Sequence, residues 1–192
     1  MDLPWGDERT KKFVTNVGLI TSNGPYGYDI MAAEWTHHVS YSPGMIAVCI
    51  NSKSATNANI KRTKEFGVGL CAFDQNVLSS VAGGSSGKNV NKIEALKELG
   101  FEFFKAKKIN VLMAEGAAMN AECRLHKKIE LGSYTAFVGE VVWLYPGNEK
   151  EPLVYHGQKY FKLGEIMQKP SQGEMDRIKS IVEKHGREGV KK

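Results

Sequence analysis

The sequence predicts a mainly β fold, a β-barrel with peripheral helices, and three features carry that prediction. Residues 117–131 and 134–145 are two long β-type runs joined by a tight Gly132-Ser133 turn. Period-two alternation is visible through Thr135-Ala136-Phe137-Val138-Gly139-Glu140-Val141, the pattern of a strand with two unlike faces. The helical patterns are short and few, and they do not alternate with strands as a doubly wound parallel sheet requires. With 192 residues and 42% hydrophobic content, the chain is expected to form one domain, residues 1–192, with a real core.

Taken in order, residues 13–21 are β-rich and run into a Ser22-Asn23-Gly24-Pro25 turn. Tyr26 and Tyr28 lead into a second strand over 29–34, which predicts an antiparallel pair. Residues 37–44 hold two His and two Ser, end in Pro43-Gly44, and read as a polar turn region. A third strand follows over 45–50. Thr56 is the expected N-cap of a helix over 57–65. Residues 66–73 are β-type, and Asp74 is placed to cap a short helix through 81. A loop, Gly83-Gly84-Ser85-Ser86-Gly87-Lys88, precedes a helix over 92–99 that opens on Asn91-x-x-Glu94 and stops at Gly100. After the two long strands come Pro146-Gly147, a polar loop over 148–152 and a hairpin over 155–160. Ser171-x-x-Glu174 opens a C-terminal helix over about 171–186.

Composition narrows the function. The net charge is +5, but the basic residues are dispersed and densest over 184–192; this favours anionic ligands in general and equally describes a solvated face. No RNP-like motif or dense aromatic-basic stripe is present, so no nucleic-acid partner is expected. Cys49, Cys71 and Cys123 are far apart, odd in number and set in apolar runs, which predicts buried reduced thiols. No CxxC or His/Cys cluster has metal-ligand spacing, so no metal is expected. The acidic N-terminus lacks an apolar signal core and no run is long enough to cross a bilayer. A cytoplasmic protein with no membrane association is the expectation.

Two nucleotide motifs fail. Gly83–Lys88 would need Gly at Ala82 and Ser or Thr at Asn89 to form a P-loop. Gly67-Val68-Gly69-Leu70-Cys71-Ala72 formally fits the dinucleotide fingerprint, yet it lies inside a β-type run rather than between a strand and a helix. The stretch from Asp29 to Asn59 is more promising. It places a strand, a hydroxyl-rich loop and a helix start in series, and the unpaired N–H groups of a helix start attract anions. Ser52, Lys53, Ser54, Thr56 and Asn59 form a candidate phosphate cradle, with ordinary helix capping as the competing account. The 83–88 loop reads either as a surface loop or as an anion-binding nest through Ser85, Ser86 and Lys88.

Met31-Ala32-Ala33-Glu34-Trp35, Val39-Ser40-Tyr41-Ser42-Pro43, residues 52–59 and the late run LVYHGQKYFKLGE starting at Leu153 appear in an order that resembles the flavin reductase-like, FMN-binding split-barrel family, including its flavoredoxin branch. The resemblance spans residues 13–164. It implies a split barrel that binds FMN without a covalent link, as a homodimer. It implies ring contacts from Ala32, Ala33, Glu34 and Trp35 with Val39 and Ser40, and it brings the Ser85, Ser86 and Lys88 loop close to the flavin. Tyr134, Tyr155 and His156 are assigned to the nicotinamide or substrate side. No catalytic side chain is assigned, because the chemistry lies at flavin N5.

The implied activity is an oxidoreductase that passes electrons from NAD(P)H through FMN to a flavin, a ferric complex or another acceptor. The alternative is a flavoredoxin-type electron carrier reduced by a protein partner. One departure favours the carrier. Where relatives commonly have a Gly-Asp-His triplet, this chain has Gly132-Ser133-Tyr134, and Tyr134 cannot act as a cation near neutral pH.

Overall fold

Hydrogen bonding joins seven strands in one antiparallel sheet whose two edge strands are neighbours in sequence. The computed structural model describes residues 2, 4 and 6–185. Most of the basic 184–192 tail and the last residue of the expected C-terminal helix lie outside the described residues. The strands are β1 (Val14–Asn16), β2 (Gly18–Ser22), β3 (Asp29–Ala33), β4 (Thr36–Tyr41), β5 (Gly44–Asn51), β6 (Glu65–Leu70), β7 (Phe103–Lys105), β8 (Leu112–Ala114), β9 (Met119–Leu131), β10 (Tyr134–Leu144), β11 (Val154–His156) and β12 (Lys159–Phe161). The helices are α1 (Ala55–Thr63), α2 (Asn76–Gly84), α3 (Lys92–Glu98) and α4 (Gln172–Lys184).

The large sheet runs β3-β2-β6-β9-β10-β5-β4. Laid flat, its edges would stand about 29 Å apart at the usual strand spacing. Only Glu34 and Trp35 separate β3 from β4, and that link spans at most about 11 Å. The sheet must therefore curl until its edges meet. No ladder forms between β3 and β4, so the barrel is split there, and side chains stitch the seam. Asn16 Nδ2 donates to Thr36 O at 3.0 Å, and Gly18 leaves room for the Thr36 hydroxyl that a Cβ would overlap. A two-residue Gly132-Ser133 turn joins β9 to β10 as expected.

The curl gives the sheet two buried faces. Ile20, Val48, Ile50, Phe66, Val68 and Phe137 fill the barrel. Leu19, Ile30, Leu78, Ile93 and Leu96 form a second core beneath α2 and α3. Alternation divides β3 between them: Met31 and Ala33 face the barrel, and Ile30 and Ala32 face the helices. Each fully buried Leu, Ile or Phe side chain stabilises by about 1.5–3 kcal/mol.

Several expected boundaries are corrected. Residues 37–44 are mostly strand, because β4 is an edge whose outer face is solvated and so reads as polar. The 13–21 run is two strands in two sheets: β1 leaves the barrel to pair with β11, which continues to β12. The N-cap of α1 is Ser54, whose Oγ accepts from Asn57 N at 3.1 Å, so the helix starts two residues before the expected 57. Helix α2 starts at Asn76, with Gln75 rather than Asp74 at its N-cap, and continues through Gly83 and Gly84, taking the first two of the six expected loop residues into its last turn. The small β7-β8 pair was not anticipated. Helix α4 has its full Ser171/Glu174 capping box, and none of its residues is buried.

Candidate functional site

A groove runs between residues 26–34 on one wall and 79–97 on the other, and it widens into three chambers in chain order. The first, about 380 Å³, lies against Ala32, Ala33 and Glu34, with Ser79, Ser80, Tyr155 and Tyr160 opposite. The middle chamber, about 300 Å³, is bounded by Asp29, Ala32, Ser54, Thr56, Ser85 and Ser86. Ala32, Gly83 and Gly84 belong to both, so the two chambers meet there. A Cβ on Gly83 would lie 3.3 Å from that of Ala32, so the Gly83 backbone packs closely on Ala32 and the two chambers meet over that contact between small residues. Gly87 borders the middle chamber and a third, outer one of about 560 Å³.

The first chamber is the aromatic end. Tyr155 and Tyr160 stand 5.5 Å apart, and the Tyr160 hydroxyl is 3.0 Å from Ser79 Oγ. Burial, with the Glu34 and Tyr160 charges behind it, pushes the Tyr155 phenol up, so it stays protonated and able to donate at neutral pH.

The middle chamber is the polar end. Its floor is a buried network: Asp29 accepts from Thr56 Oγ1 at 2.6 Å and pairs with Lys92 Nζ at 3.1 Å. Lys92 Nζ also donates to Ala82 O at 3.3 Å, which ties α3 to α2. Gly87 has to lack a side chain, because a Cβ there would overlap the Asp29 carboxylate. The pair cancels its own charge. Ser54, Ser85, Ser86 and the first N–H groups of α1 are then left to face the chamber.

The groove gathers some of the residues expected to act and leaves others apart. Ala32, Ala33 and Glu34 line it, as do Ser54, Thr56, Ser85, Ser86 and Tyr155. The Thr56 hydroxyl is already donated to Asp29. Asn59 lies under the β2–β3 turn, where its amide bonds Ser22, Gly27 and Tyr26, because that turn has no ladder of its own. Ser52 turns to Thr135 at 3.2 Å, and Lys53 is exposed. Lys88 belongs to the outer chamber, 5.5 Å over the Tyr26 ring.

Trp35 packs on Tyr134 at 4.8 Å, outside the three chambers. Val39 and Ser40 sit on the β4 edge, and His156 bonds Phe13 O from the small sheet. Ser79, Ser80 and Lys92 were missed, since each is an ordinary helix residue in sequence. Among the described residues no group of three or more His, Cys, Asp or Glu could hold a metal.

A curled split barrel with a groove between β3 and the α2–α3 helices defines the class: a flavin reductase-like protein. The profile of the flavin reductase like domain matches residues 10–164, and the chain belongs to that family. An uncharacterized protein of Archaeoglobus fulgidus is 33% identical over 122 residues, covering 62% of this chain and 66% of that one, just under two thirds of its length. A protein named FMN reductase (NADH) RutF, from Ancylobacter novellus, is 27% identical over 75% of this chain and 76% of its own. The crystal structure of flavoredoxin from Methanosarcina acetivorans superposes with a TM-score of 0.75 at 22% identity, over 86% of this chain and 94% of that one. No helix among the described residues is long and apolar enough to cross a membrane.

Proposed function

We propose that the chain is a flavin-dependent oxidoreductase that binds a flavin nucleotide across the junction of the first two chambers. The observation that carries this is the pair of adjoining chambers, one aromatic and one hydroxyl-lined, that share only small residues at their junction. A flat ring fits the aromatic chamber, a phosphate fits the hydroxyl-lined middle chamber, and a ribityl chain would run over the small residues Ala32, Gly83 and Gly84 that line both. FMN is the smallest nucleotide with all three parts. When bound, the flavin supplies the redox chemistry, taking two electrons from a reduced nicotinamide and handing them to an acceptor.

The protein's own work is to position and exclude. Ala32 and Ala33 offer backbone to the ring, Tyr155 stays a neutral donor at its edge, and Ser54, Ser85 and Ser86 bond the phosphate. The named relatives support NADH as donor, and NADPH is the competing choice.

A carrier reduced by a protein partner is the second reading. It is favoured by Tyr134, which packs on Trp35 instead of presenting a cation to the groove. We also propose a homodimer, supported by Val39 and Tyr41, 55% and 88% exposed on the open β4 edge. Cytoplasmic residence is supported by three free cysteines.

The visible spectrum of the purified protein, with chromatography of the chromophore released on denaturation, tests the binding claim. A flavin spectrum supports it, and a colourless chain that takes up no added flavin overturns it. Rapid bleaching by NADH or NADPH then supports the reductase, whereas slow bleaching supports the carrier. Size-exclusion chromatography with light scattering checks the dimer.

A further inference from the structure

Beyond β12 the chain buries none of its described residues: every position from 162 to 185 is exposed. Residues 162–170 form neither helix nor strand, and α4 follows behind its complete capping box. Ile166 and Met167 are 88% and 91% exposed. On α4, Met175, Ile178, Ile181 and Val182 recur at i, i+3, i+6 and i+7, so they form one apolar stripe, and in a single copy that stripe faces solvent. A helix of 13 residues is marginal in water by itself, and in proteins such helices draw their stability from packing the apolar face.

The barrel carries an uncovered apolar surface of its own. Helices α2 and α3 lie on β3, and among the described residues no helix packs extensively on β4, β9 or β10. On β5 the side chains of Ile46, Val48 and Ile50 fill the barrel, so Met45, Ala47 and Cys49 face outward. The register sets Val138 opposite Ala47, Ala136 opposite Cys49 and Ile129 opposite Ala136, which extends that face across β10 to β9. Met45, Ala47, Cys49 and Val138 are only half-buried, and Ile129 is exposed. One chain thus holds an apolar helix stripe and an apolar sheet face that do not meet.

We propose that the 162–185 arm is exchanged between two copies of the chain, with α4 of each copy laid on the outer face of β5, β10 and β9 of the other. The proposal rests on the homodimer reading and names the segment that joins the copies. Residues 162–171, fully extended, span at most about 33–36 Å, enough to leave one barrel and reach a second. The uncovered apolar side chains of one arm, with the surface they would cover, come to roughly 800 Å². Two exchanged arms therefore bury about 1,600 Å², the size of a standard stable interface. Exchange about a two-fold axis covers both arms and closes the assembly at two copies. The arm begins just after Tyr160 and Phe161, so exchange also tethers the Tyr160 wall of the aromatic chamber to the second copy.

The test is light scattering of the full chain over a range of concentrations, beside its I178E/V182E variant. The natural chain is expected to be a dimer. The variant is expected to raise the dimer dissociation constant about 100-fold or more, because each contact would have to bury carboxylates without partners. Both residues are exposed in a single copy, and circular dichroism verifies that the variant is folded. A second measurement locates the arm. I178C treated with a short bismaleimide is expected to give a covalent dimer that neither the natural chain nor I178C/C49S gives. A variant as dimeric as the natural chain overturns the exchange and leaves the homodimer reading at the β4 edge intact. A monomeric natural chain overturns both. A cross-link within one chain puts the arm on its own barrel, and a cross-linked dimer that survives C49S pairs α4 with α4; either overturns the proposal.

Discussion

Asp29 and Glu122 are both buried carboxylates, and their partners differ. Asp29 meets side chains from two other segments, the Thr56 hydroxyl and the Lys92 ammonium, on the floor of the middle chamber. Glu122 meets mostly backbone. It accepts from Lys107 N and Lys108 N at 2.7 Å, from Ile109 N at 3.1 Å, and from the Tyr145 hydroxyl at 2.6 Å. Burial, and then the bond to Glu122, pushes the Tyr145 phenol up to about 12, so it remains a donor. Glu122 thus fixes the loop between β7 and β8 and lies in none of the groove's three chambers. The comparison teaches that a buried charge is explained by what its partners hold in place. Asp29 holds two helices along the groove, and Glu122 holds a loop.

The largest effect should come from breaking the side-chain network. Lys92→Met leaves Asp29 buried with no cation, and uncompensated burial of a charge costs about 3–5 kcal/mol. Urea unfolding should register that loss, and flavin uptake should fall with it because α2 and α3 are untied. Adding Asp29→Asn removes the stranded charge, so the double variant should regain part of the stability. A Lys92→Met protein with an unchanged urea midpoint would contradict this account.

Glu122→Gln comes next. One amide oxygen can still accept, but the NH2 group then faces backbone donors, a loss of about 2 kcal/mol. Stability should drop while flavin bound per folded molecule stays constant. If uptake fell in step with Lys92→Met, the division between groove and scaffold would be wrong. Gly83→Val sharpens the contrast from the other side. Its Cβ would sit 3.3 Å from that of Ala32, so the added methyls should stand in the junction that the two chambers share. Flavin affinity is expected to fall about tenfold, with stability changed by about 1 kcal/mol or less.

The barrel was legible because its long strands carry alternation, and because Gly132-Ser133 marks the hairpin between them. Strand β4 was not, because an edge strand with one solvated face offers hydroxyls and imidazoles where a core strand offers aliphatics. Ser54 and Thr56 are both good capping types, two residues apart, and only tertiary structure commits the Thr56 hydroxyl to Asp29. Lys92 was illegible for a similar reason: it opens a short helix as a surface lysine would, and its partner lies far back in the chain. Glu122 fits the alternation as an outward residue, and nothing local reveals that the 107–109 backbone turns its donors toward it. Local pattern therefore gave the scaffold and half of the groove, and the charges on its floor depended on contacts between distant segments.

A third carboxylate sets the lower limit of the comparison. Glu130, near the tip of the β9–β10 hairpin, is exposed, and it accepts hydrogen bonds from Lys128 and Thr135 with Lys61 nearby. The Lys128 contact, then the Thr135 hydroxyl, draws its carboxyl down to about 2. A folded-state value below the unfolded one means that the charged form is favoured by folding. Its contribution is therefore complete above the ordinary carboxylate range and is lost as pH falls toward about 2. The difference in urea midpoint between the natural chain and Glu130→Gln should be small at neutral pH, shrink steadily below the ordinary carboxylate range, and vanish near pH 2. Solvent screening keeps it smaller than the effects at Lys92 and Glu122. A difference that instead grew on acidification would mean that the Lys128 contact does not stabilise the hairpin in solution.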